Sequence, residues 1–170
     1  MSQENDGITI LLVDDDPDCR MFIREAIEES RISNRVYEVE DGPSALDFVH
    51  RRGRHAGAPR PGLIYLDIEM PGMSGQEVLR QIKSDAELCD IPVVMMTGVT
   101  DEDQMETAAR HGANSYTLKP ANAQEFLQTV LASTNYWLHI HQYPDHHLPA
   151  AQCRRIRPII REEPVCPAGE

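Results

Sequence analysis

Lysine is almost absent from this chain. It occurs twice in 170 residues, at positions 83 and 119, and the other fixed positive charges are arginines. Lysine and arginine together number 16 against 28 aspartates and glutamates, which gives a formal net charge of −12. General binding to nucleic acid requires a basic face that neutralises phosphates. The charge therefore predicts no direct nucleic-acid binding.

Long apolar runs and closely spaced cysteines are also missing. No stretch approaches the ~20 apolar residues that cross a bilayer. The early run at 8–13 is too short, and too acidic on both sides, for a signal peptide. None of the four cysteines forms a C-x-x-C pair, which argues against a zinc site and against a redox dithiol. These absences predict a cytoplasmic protein with no membrane contact.

The chain does contain a regular alternation of apolar runs and amphipathic stretches. Its hydrophobic content of 41 % is typical of a globular protein. Short apolar runs predict strands at 8–13, 35–40, 63–66, 93–97 and 115–118. Capping residues and helical periodicity predict helices that begin near residues 17, 43, 74, 101 and 122.

Strands that alternate with helices predict a parallel sheet covered by helices on both faces. The run at 35–40 is polar enough for an edge strand, whereas the runs at 8–13, 63–66 and 93–97 are almost purely apolar. Right-handed crossovers then favour the strand order 2-1-3-4-5. We therefore predict an α/β fold, a flavodoxin-like three-layer sandwich with a five-stranded parallel sheet and five helices.

Polar side chains stand where these strands end. Asp14 and Asp15 follow the first strand, and Asp67 follows the third. Thr97 ends the fourth strand, and Lys119 comes directly after the fifth. The carboxyl ends of parallel strands lie at one edge of the sheet, where open α/β sheets bind ligands. The sequence thus predicts three carboxylates, a hydroxyl and an ammonium around one crevice.

These groups indicate a particular chemistry. Three adjacent carboxylates repel one another unless a cation lies among them, and oxygen ligands suit Mg²⁺ (or Mn²⁺). An ammonium and a hydroxyl can hold phosphoryl oxygens, and a carboxylate can accept a phosphoryl group covalently. The residues therefore predict a Mg²⁺-dependent aspartyl phosphorylation site.

With these residues in place, the sequence resembles the receiver domain of two-component response regulators over roughly residues 8–132. The resemblance rests on four motifs in order: Leu-Leu-Val-Asp-Asp-Asp-Pro, Tyr-Leu-Asp-Ile-Glu-Met-Pro-Gly-Met-Ser-Gly, Met-Met-Thr-Gly and Leu-Lys-Pro. It implies that Asp67 accepts a phosphoryl group from the phosphohistidine of a sensor histidine kinase. It also implies that Asp15, Asp67 and the backbone carbonyl of Glu69 bind the metal ion, with Asp14 acting through a water molecule.

The resemblance assigns roles beyond the acceptor as well. Thr97 and Lys119 would hold the phosphoryl oxygens, and the bond from Lys119 to Pro120 would be cis. Tyr116 resembles the family's switch aromatic, although plain packing is an alternative for an aromatic residue at a strand end. Glu69 and Val99 are candidates for tuning the rate at which the phosphoryl group is lost.

The segments outside this region are predicted from composition and resemblance. We expect a flexible N-terminus at 1–7, a receiver domain at 8–134, a C-terminal arm at 135–149 and a disordered tail at 150–170. Trp137, Leu138 and Ile140 would need cover, either on their own domain or on a second subunit. Single-domain regulators paired with phytochrome histidine kinases look similar, which implies a bacteriophytochrome partner. The same likeness implies a homodimer through helix four, strand five and helix five plus the arm.

Three alternatives stay open. A Mg²⁺-dependent phosphatase also uses an acceptor aspartate, and Glu69 stands where such enzymes need a second acid, but the chain shows no substrate cap. The histidines at 139, 141, 146 and 147 fit either a metal site or a polar segment after the domain. Residues 51–62 form an irregular arginine-rich surface loop, which is either solvated or docks against an acidic partner.

Overall fold

The structure, a computed structural model, describes residues 8–29, 34–98 and 100–137. Strands and helices alternate along this part of the chain. The strands are β1 (Thr9–Val13), β2 (Arg35–Val39), β3 (Leu63–Asp67), β4 (Val93–Thr97) and β5 (Ser115–Leu118). The helices are α1 (Pro17–Glu29), α2 (Gly42–Val49), α3 (Gly75–Ser84), α4 (Glu102–Arg110) and α5 (Ala123–Asn135).

The strands form one parallel sheet in the order β2-β1-β3-β4-β5, which confirms the predicted topology. Its register aligns the strand ends, because Val13 pairs with Leu66 and Asp67 pairs with Met96. The residues that follow β1, β3 and β4 therefore lie side by side at one edge of the sheet. β2 carries exposed residues, as expected of an edge strand.

Alternate residues of the central strands point to opposite faces of the sheet. On one face, Leu11, Ile64 and Met95 pack against α2, α3 and α4. On the other, Leu12 and Tyr65 pack against α1 and α5. The two buried layers fix the position of each strand in the sheet. They therefore also fix the positions of the polar residues at the strand ends.

The helix ends follow the capping signals in the sequence. The side chains of Asp41, Ser74 and Asn122 accept backbone N–H bonds at the starts of α2, α3 and α5. Gly112 follows α4 with φ +90°, a left-handed conformation that glycine adopts at no steric cost. These local signals were sufficient to place the helices.

The end of α2 is unusual. The backbone N–H of Arg51 donates to the carbonyl of Phe48 (3.1 Å), and that of Arg52 donates to Asp47 (2.8 Å). In this type of helix end the residue after the cap is left-handed and is usually glycine. Here it is Arg51, with φ +55°, the one non-glycine residue with positive φ among those described. Its conformation costs on the order of 1 kcal/mol.

The prediction that residues 51–62 contain no regular structure is wrong at one point. Gly53–His55 forms a 3-10 turn, closed by a hydrogen bond from the N–H of His55 to the carbonyl of Arg52 (2.9 Å). A glycine at position 53 permits the turn, because its φ is +54°. The rest of the described loop is irregular, as expected.

The end of the domain differs from the predicted boundary. α5 runs to Asn135, and Trp137 is only 5 % exposed because it packs in the core layer of α1 and α5. Residues 135–137 thus lie with the domain rather than with an arm that begins at 135. Trp137 finds its cover on its own domain, one of the two alternatives. Leu138 and Ile140 lie outside the described residues, as do the segments 1–7 and 141–170.

Among the described residues, no helix combines the length and the apolar character that crossing a bilayer requires.

Candidate functional site

The loop from β3 to α3 fixes the position of Asp67. The N–H of Ile68 donates to the carbonyl of Met96 (3.0 Å), and the N–H of Gly75 donates to the carbonyl of Ile68 (2.9 Å). The backbone of Gly75 lies so close that a Cβ atom there would come within 2.0 Å of the Asp67 carbonyl oxygen. Helix α3 is therefore seated directly against the strand end that carries Asp67.

Three carboxylates meet at this edge of the sheet. Asp14 and Asp67 are 2 % and 5 % exposed, whereas Asp15 is open to solvent. One ligand oxygen of each lies within 4.8 Å of the others. A set of carboxylate oxygens at this spacing, with one side open, fits a hard divalent cation such as Mg²⁺ or Mn²⁺.

Lys119 joins the two buried carboxylates. Its Nζ lies 2.5 Å from Oδ2 of Asp14 and 3.1 Å from Oδ1 of Asp67. The backbone N–H of Lys119 donates to the carbonyl of Thr97 (2.7 Å), so the end of β5 is fixed to the end of β4. The other oxygen of Asp14, Oδ1, accepts from the N–H of Asp16 (2.9 Å). Each buried charge thus has a partner at this edge.

The other lysine has a different environment. The Nζ of Lys83 donates to the carbonyls of Cys89 (3.1 Å) and Ile91 (2.7 Å) and to Oδ1 of Asn114 (2.9 Å). These contacts connect α3 to the segments that precede β4 and β5. Lys83 is therefore a structural link, and within the described residues Lys119 is the one ammonium at the carboxylate cluster.

The buried charges perturb one another. Burial raises the pKa of Asp67 to about 6; the nearby Asp14 adds to this rise and Lys119 opposes it. Burial alone would lower the pKa of Lys119, but the carboxylates of Asp14 and Asp67 help to hold it above its usual range. Lys119 is consequently charged at neutral pH. With a pKa of about 6, Asp67 is mostly ionised at neutral pH, and additional positive charge would favour the ionised form further.

Cys19 also belongs to this environment, although no sequence motif singled it out. It is 5 % exposed, and its thiol interacts with Asp14 and Lys119. Burial raises the pKa of the thiol well above its ordinary value, so it stays protonated at neutral pH. The signal was available, because α1 begins at Pro17 and its first inward residue must lie near the end of β1.

Thr97 and Tyr116 lie on neighbouring strands. Thr97 is fully buried. The phenolic oxygen of Tyr116 is also buried and makes no hydrogen bond of ordinary geometry with the described residues. Burial raises the pKa of Tyr116, and the nearby Thr97 opposes the rise. The hydroxyl of Tyr116 thus points into the protein, while its ring packs against the core layer of α2, α3 and α4.

Glu69 and Val99 are the two positions predicted to tune phosphoryl loss, and the structure describes only the first of them. The side chain of Glu69 is exposed, and its backbone N–H donates to the carboxylate of Asp67. Val99 lies outside the described residues. One expectation is wrong: no described peptide bond is cis, so the bond between Lys119 and Pro120 is trans. The trans form is the intrinsically favoured one even before proline.

Comparison with known proteins agrees with this geometry. The response regulator receiver domain family matches residues 10–131. Response regulator Rcp1 of Synechocystis sp. is 33 % identical over 139 residues, which span 81 % of this chain and 95 % of Rcp1. The chemotaxis protein CheY of Pseudomonas aeruginosa is 34 % identical over 121 residues, which span 71 % of this chain and 91 % of CheY.

The chain is also similar to solved structures of response regulators. The Mn²⁺-bound form of Rcp1 has a TM-score of 0.77 at 31 % identity, with 81 % of this chain and 99 % of that one covered. The phosphorylated cyanobacterial phytochrome response regulator RcpA has a TM-score of 0.79 at 35 % identity, with the same coverage. None of these relatives supports the phosphatase alternative.

Proposed function

The chain belongs to the response regulator receiver domain family, and on that premise we propose that Asp67 is its phosphoacceptor. In this proposal the protein is a stand-alone response regulator that receives a phosphoryl group from a sensor histidine kinase. The observation that carries it is the position of Lys119, which bridges the buried carboxylates of Asp14 and Asp67 at the edge of the sheet.

The transfer itself is a displacement at phosphorus. A carboxylate oxygen of Asp67 attacks the phosphorus atom of the phosphohistidine, a P–O bond forms, and the P–N bond breaks. The leaving imidazole takes up a proton from solvent. Lys119 already lies 3.1 Å from the attacking carboxylate, so it can pair with the charge that spreads over the phosphoryl oxygens. The buried hydroxyl of Thr97 is the second proposed contact to these oxygens.

A divalent cation fits the same edge. Asp14, Asp15 and Asp67 offer oxygens within 4.8 Å of one another, and we propose that this cluster binds Mg²⁺, or Mn²⁺ as in the Rcp1 structure. When bound, the ion neutralises the acceptor and the incoming phosphoryl group. The backbone carbonyl of Glu69 is a further proposed ligand, and Asp14 is proposed to act through a water molecule.

Tyr116 is the residue that we propose to change conformation when Asp67 is phosphorylated. A buried hydroxyl that lacks a well-aligned partner costs up to roughly 1–3 kcal/mol, and among the described residues the hydroxyl of Tyr116 has only the nearby Thr97. A movement of Thr97 towards a phosphoryl oxygen would change the space and the polar contacts around Tyr116. The ring would then shift between inward and outward positions, which alters the surface of β5 and its neighbours. Glu69, exposed beside the acceptor, and Val99 are proposed to tune phosphoryl loss.

The direct test is chemical labelling. Wild type and Asp67→Asn are incubated with acetyl phosphate and Mg²⁺, and the acid-stable, base-labile phosphoryl group is quantified by mass spectrometry. We expect one such group on wild type and none on Asp67→Asn. Asp18→Asn, a matched change on the exposed start of α1, should label like wild type. Equal labelling of wild type and Asp67→Asn would refute the proposal.

A phytochrome histidine kinase is the proposed donor. The likeness to RcpA, described as a phytochrome response regulator, supports this assignment. Phosphotransfer from a phosphorylated phytochrome kinase and from a non-phytochrome kinase can be compared over seconds at equal concentrations. We expect the phytochrome kinase to label Asp67 at least tenfold faster. Equal rates would reject the pairing while leaving the phosphoacceptor assignment untouched.

A homodimer through α4, β5 and α5 is also proposed. Met105 on α4, Leu118 on β5 and Tyr136 directly after α5 are exposed large apolar residues, and a shared contact would cover them. Sedimentation can compare the full chain with one that ends after Trp137. That end point retains the buried Trp137, whereas an earlier one would remove part of the core. An unchanged dimer would exclude the segment after 137 from the interface.

A further inference from the structure

The arginine-rich loop after α2 is a basic region on an acidic protein. From Phe48 to Leu66 the sequence contains no aspartate or glutamate, but it contains four arginines and two histidines. This lies in a chain of net charge −12. The region is at the opposite end of the sheet from Asp67, because it follows the C-terminal end of α2 and precedes the start of β3. Phosphoacceptor chemistry does not account for it.

The loop is held in place by specific contacts. Arg60 donates from Nη1 to the carbonyl of Glu87 (2.6 Å) and from Nη2 to Oδ1 of Asp90 (2.6 Å). The ring of His55 packs on that of Phe48, with centroids 5.3 Å apart. The ring contact holds the first half of the loop against α2, and the Arg60 hydrogen bonds hold the second half against the segment that precedes β4. Any pocket between them is therefore formed before a ligand arrives.

Such a pocket exists, with a volume of about 570 Å³. This is within the range of roughly 300–1,000 Å³ that small-molecule sites occupy. Val49, Ala86 and Leu88 give it an apolar wall, while His50 and Arg51 contribute basic groups. The His50 ring also lies 3.8 Å from Asp85, another lining residue.

Arg51 is the key residue of the pocket. Its side chain is exposed and makes no hydrogen bond or ion pair with any described residue. It occupies a left-handed position where glycine would fit without strain. An arginine at this point of the pocket lining therefore costs backbone energy that glycine would not, and its guanidinium has no partner among the described residues.

We propose that this pocket binds a small organic carboxylate with an apolar body. The Arg51 guanidinium pairs with the carboxylate in a bidentate manner, and His50 lies beside it. The apolar body rests against Val49 and Leu88. Asp85, Glu87 and Arg60 also line the pocket. The guanidinium of Arg60 is already bonded to the carbonyl of Glu87 and to Asp90, so a second negative charge on the ligand would face the carboxylates of Asp85 and Glu87 and be repelled. The ligand is thus a monoanion.

The probe is 2-naphthoate, added to the full ¹⁵N-labelled chain and followed through the backbone amide signals of residues 50, 51 and 88. For a ligand with 13 non-hydrogen atoms at ordinary efficiency, we expect a Kd on the order of 1 mM. Naphthylmethylammonium has nearly the same body and the opposite charge, and it should bind at least tenfold more weakly.

Two variants complete the test. Arg51→Gly removes the guanidinium and relieves the left-handed strain, so it should keep the fold, with a Tm no lower than wild type, and bind 2-naphthoate at least fivefold more weakly. Arg52→Gln makes the same charge change at an exposed neighbour that does not line the pocket, and it should bind like wild type. The proposal fails if 2-naphthoate gives no saturable shift up to 20 mM or if the ammonium binds equally well. It also fails if the two variants weaken binding alike.

Discussion

Replacing Asp67 by asparagine removes one negative charge from the buried end of β3 while it keeps the shape of the side chain. In the protein without metal, Asp67 and Asp14 share the single ammonium of Lys119. Burial is the main reason that the pKa of Asp67 rises from 3.8 to about 6. The charged form of this side chain is therefore a cost to the folded state, and asparagine should remove it.

The size and sign of the effect follow from linkage. A rise of about two pKa units corresponds to about 3 kcal/mol, at 1.36 kcal/mol per unit. Because the folded state binds this proton more tightly than the unfolded state, the cost is fully present above pH 6 and fades as the pH falls towards 3.8. Metal-free Asp67→Asn should therefore be about 3 kcal/mol more stable than wild type at pH 8 and nearly equal to it at pH 4.

Urea unfolding with EDTA at several pH values between 4 and 8 measures this difference. Asp15→Asn is the matched control, because its carboxylate is exposed and its stability should change by less than about 0.5 kcal/mol. Mg²⁺ should then bring the two proteins nearly level at pH 8, because it stabilises wild type by about 2.7 kcal/mol at a hundredfold excess over its Kd and Asp67→Asn far less. Metal-free Asp67→Asn that is less stable than wild type at pH 8, or a difference that does not vary with pH, would refute the reasoning.

Three further substitutions test how the site is supported. Tyr65→Phe removes buried hydrogen bonds to the end of α5, the shorter of them 2.9 Å, and should lower the unfolding free energy by about 1–2 kcal/mol in urea; an unchanged value would contradict the bond. Trp137→Ala should lower the unfolding free energy by about 3–5 kcal/mol, whereas Tyr136→Ala, at an exposed neighbour, should lower it far less. Equal losses would show that Trp137 is not part of the domain core. Gly75→Ala forces a Cβ against the carbonyl of Asp67, so stability should fall by about 1–3 kcal/mol and acetyl phosphate labelling should slow at least tenfold; unaltered labelling would show that the close approach does not matter.

Much of the fold could be predicted because its signals are local. Apolar runs of four to six residues, each followed by a capping residue such as Ser74 or Asn122, placed the strands and helices. The polar character of the second run placed β2 at the edge. Given a parallel sheet, the position of Asp67 next to the other strand ends followed without any knowledge of side-chain contacts, since all such ends share one edge.

The resemblance to receiver domains added roles that no local pattern contains, and these still depend on experiment. It also led to one wrong expectation, the cis bond before Pro120. The predicted arm fails at its first residues for another reason. A tryptophan near a chain end carries no local signal of whether its own domain or a partner covers it, and only the packing of α5 on α1 decided that Trp137 is buried.

The sequence by itself determined the order of the elements and which polar residues stand at their ends, because both depend on neighbours a few positions apart. The tertiary structure decided which groups touch. Lys119 reaches Asp14 across 105 positions of sequence, and Cys19 enters the same cluster from the first turn of α1. At the other end of the sheet, Arg51 meets the residues that precede β4 around a single pocket. Contacts of this range arise from the packing of whole helices on the sheet, which no short pattern specifies.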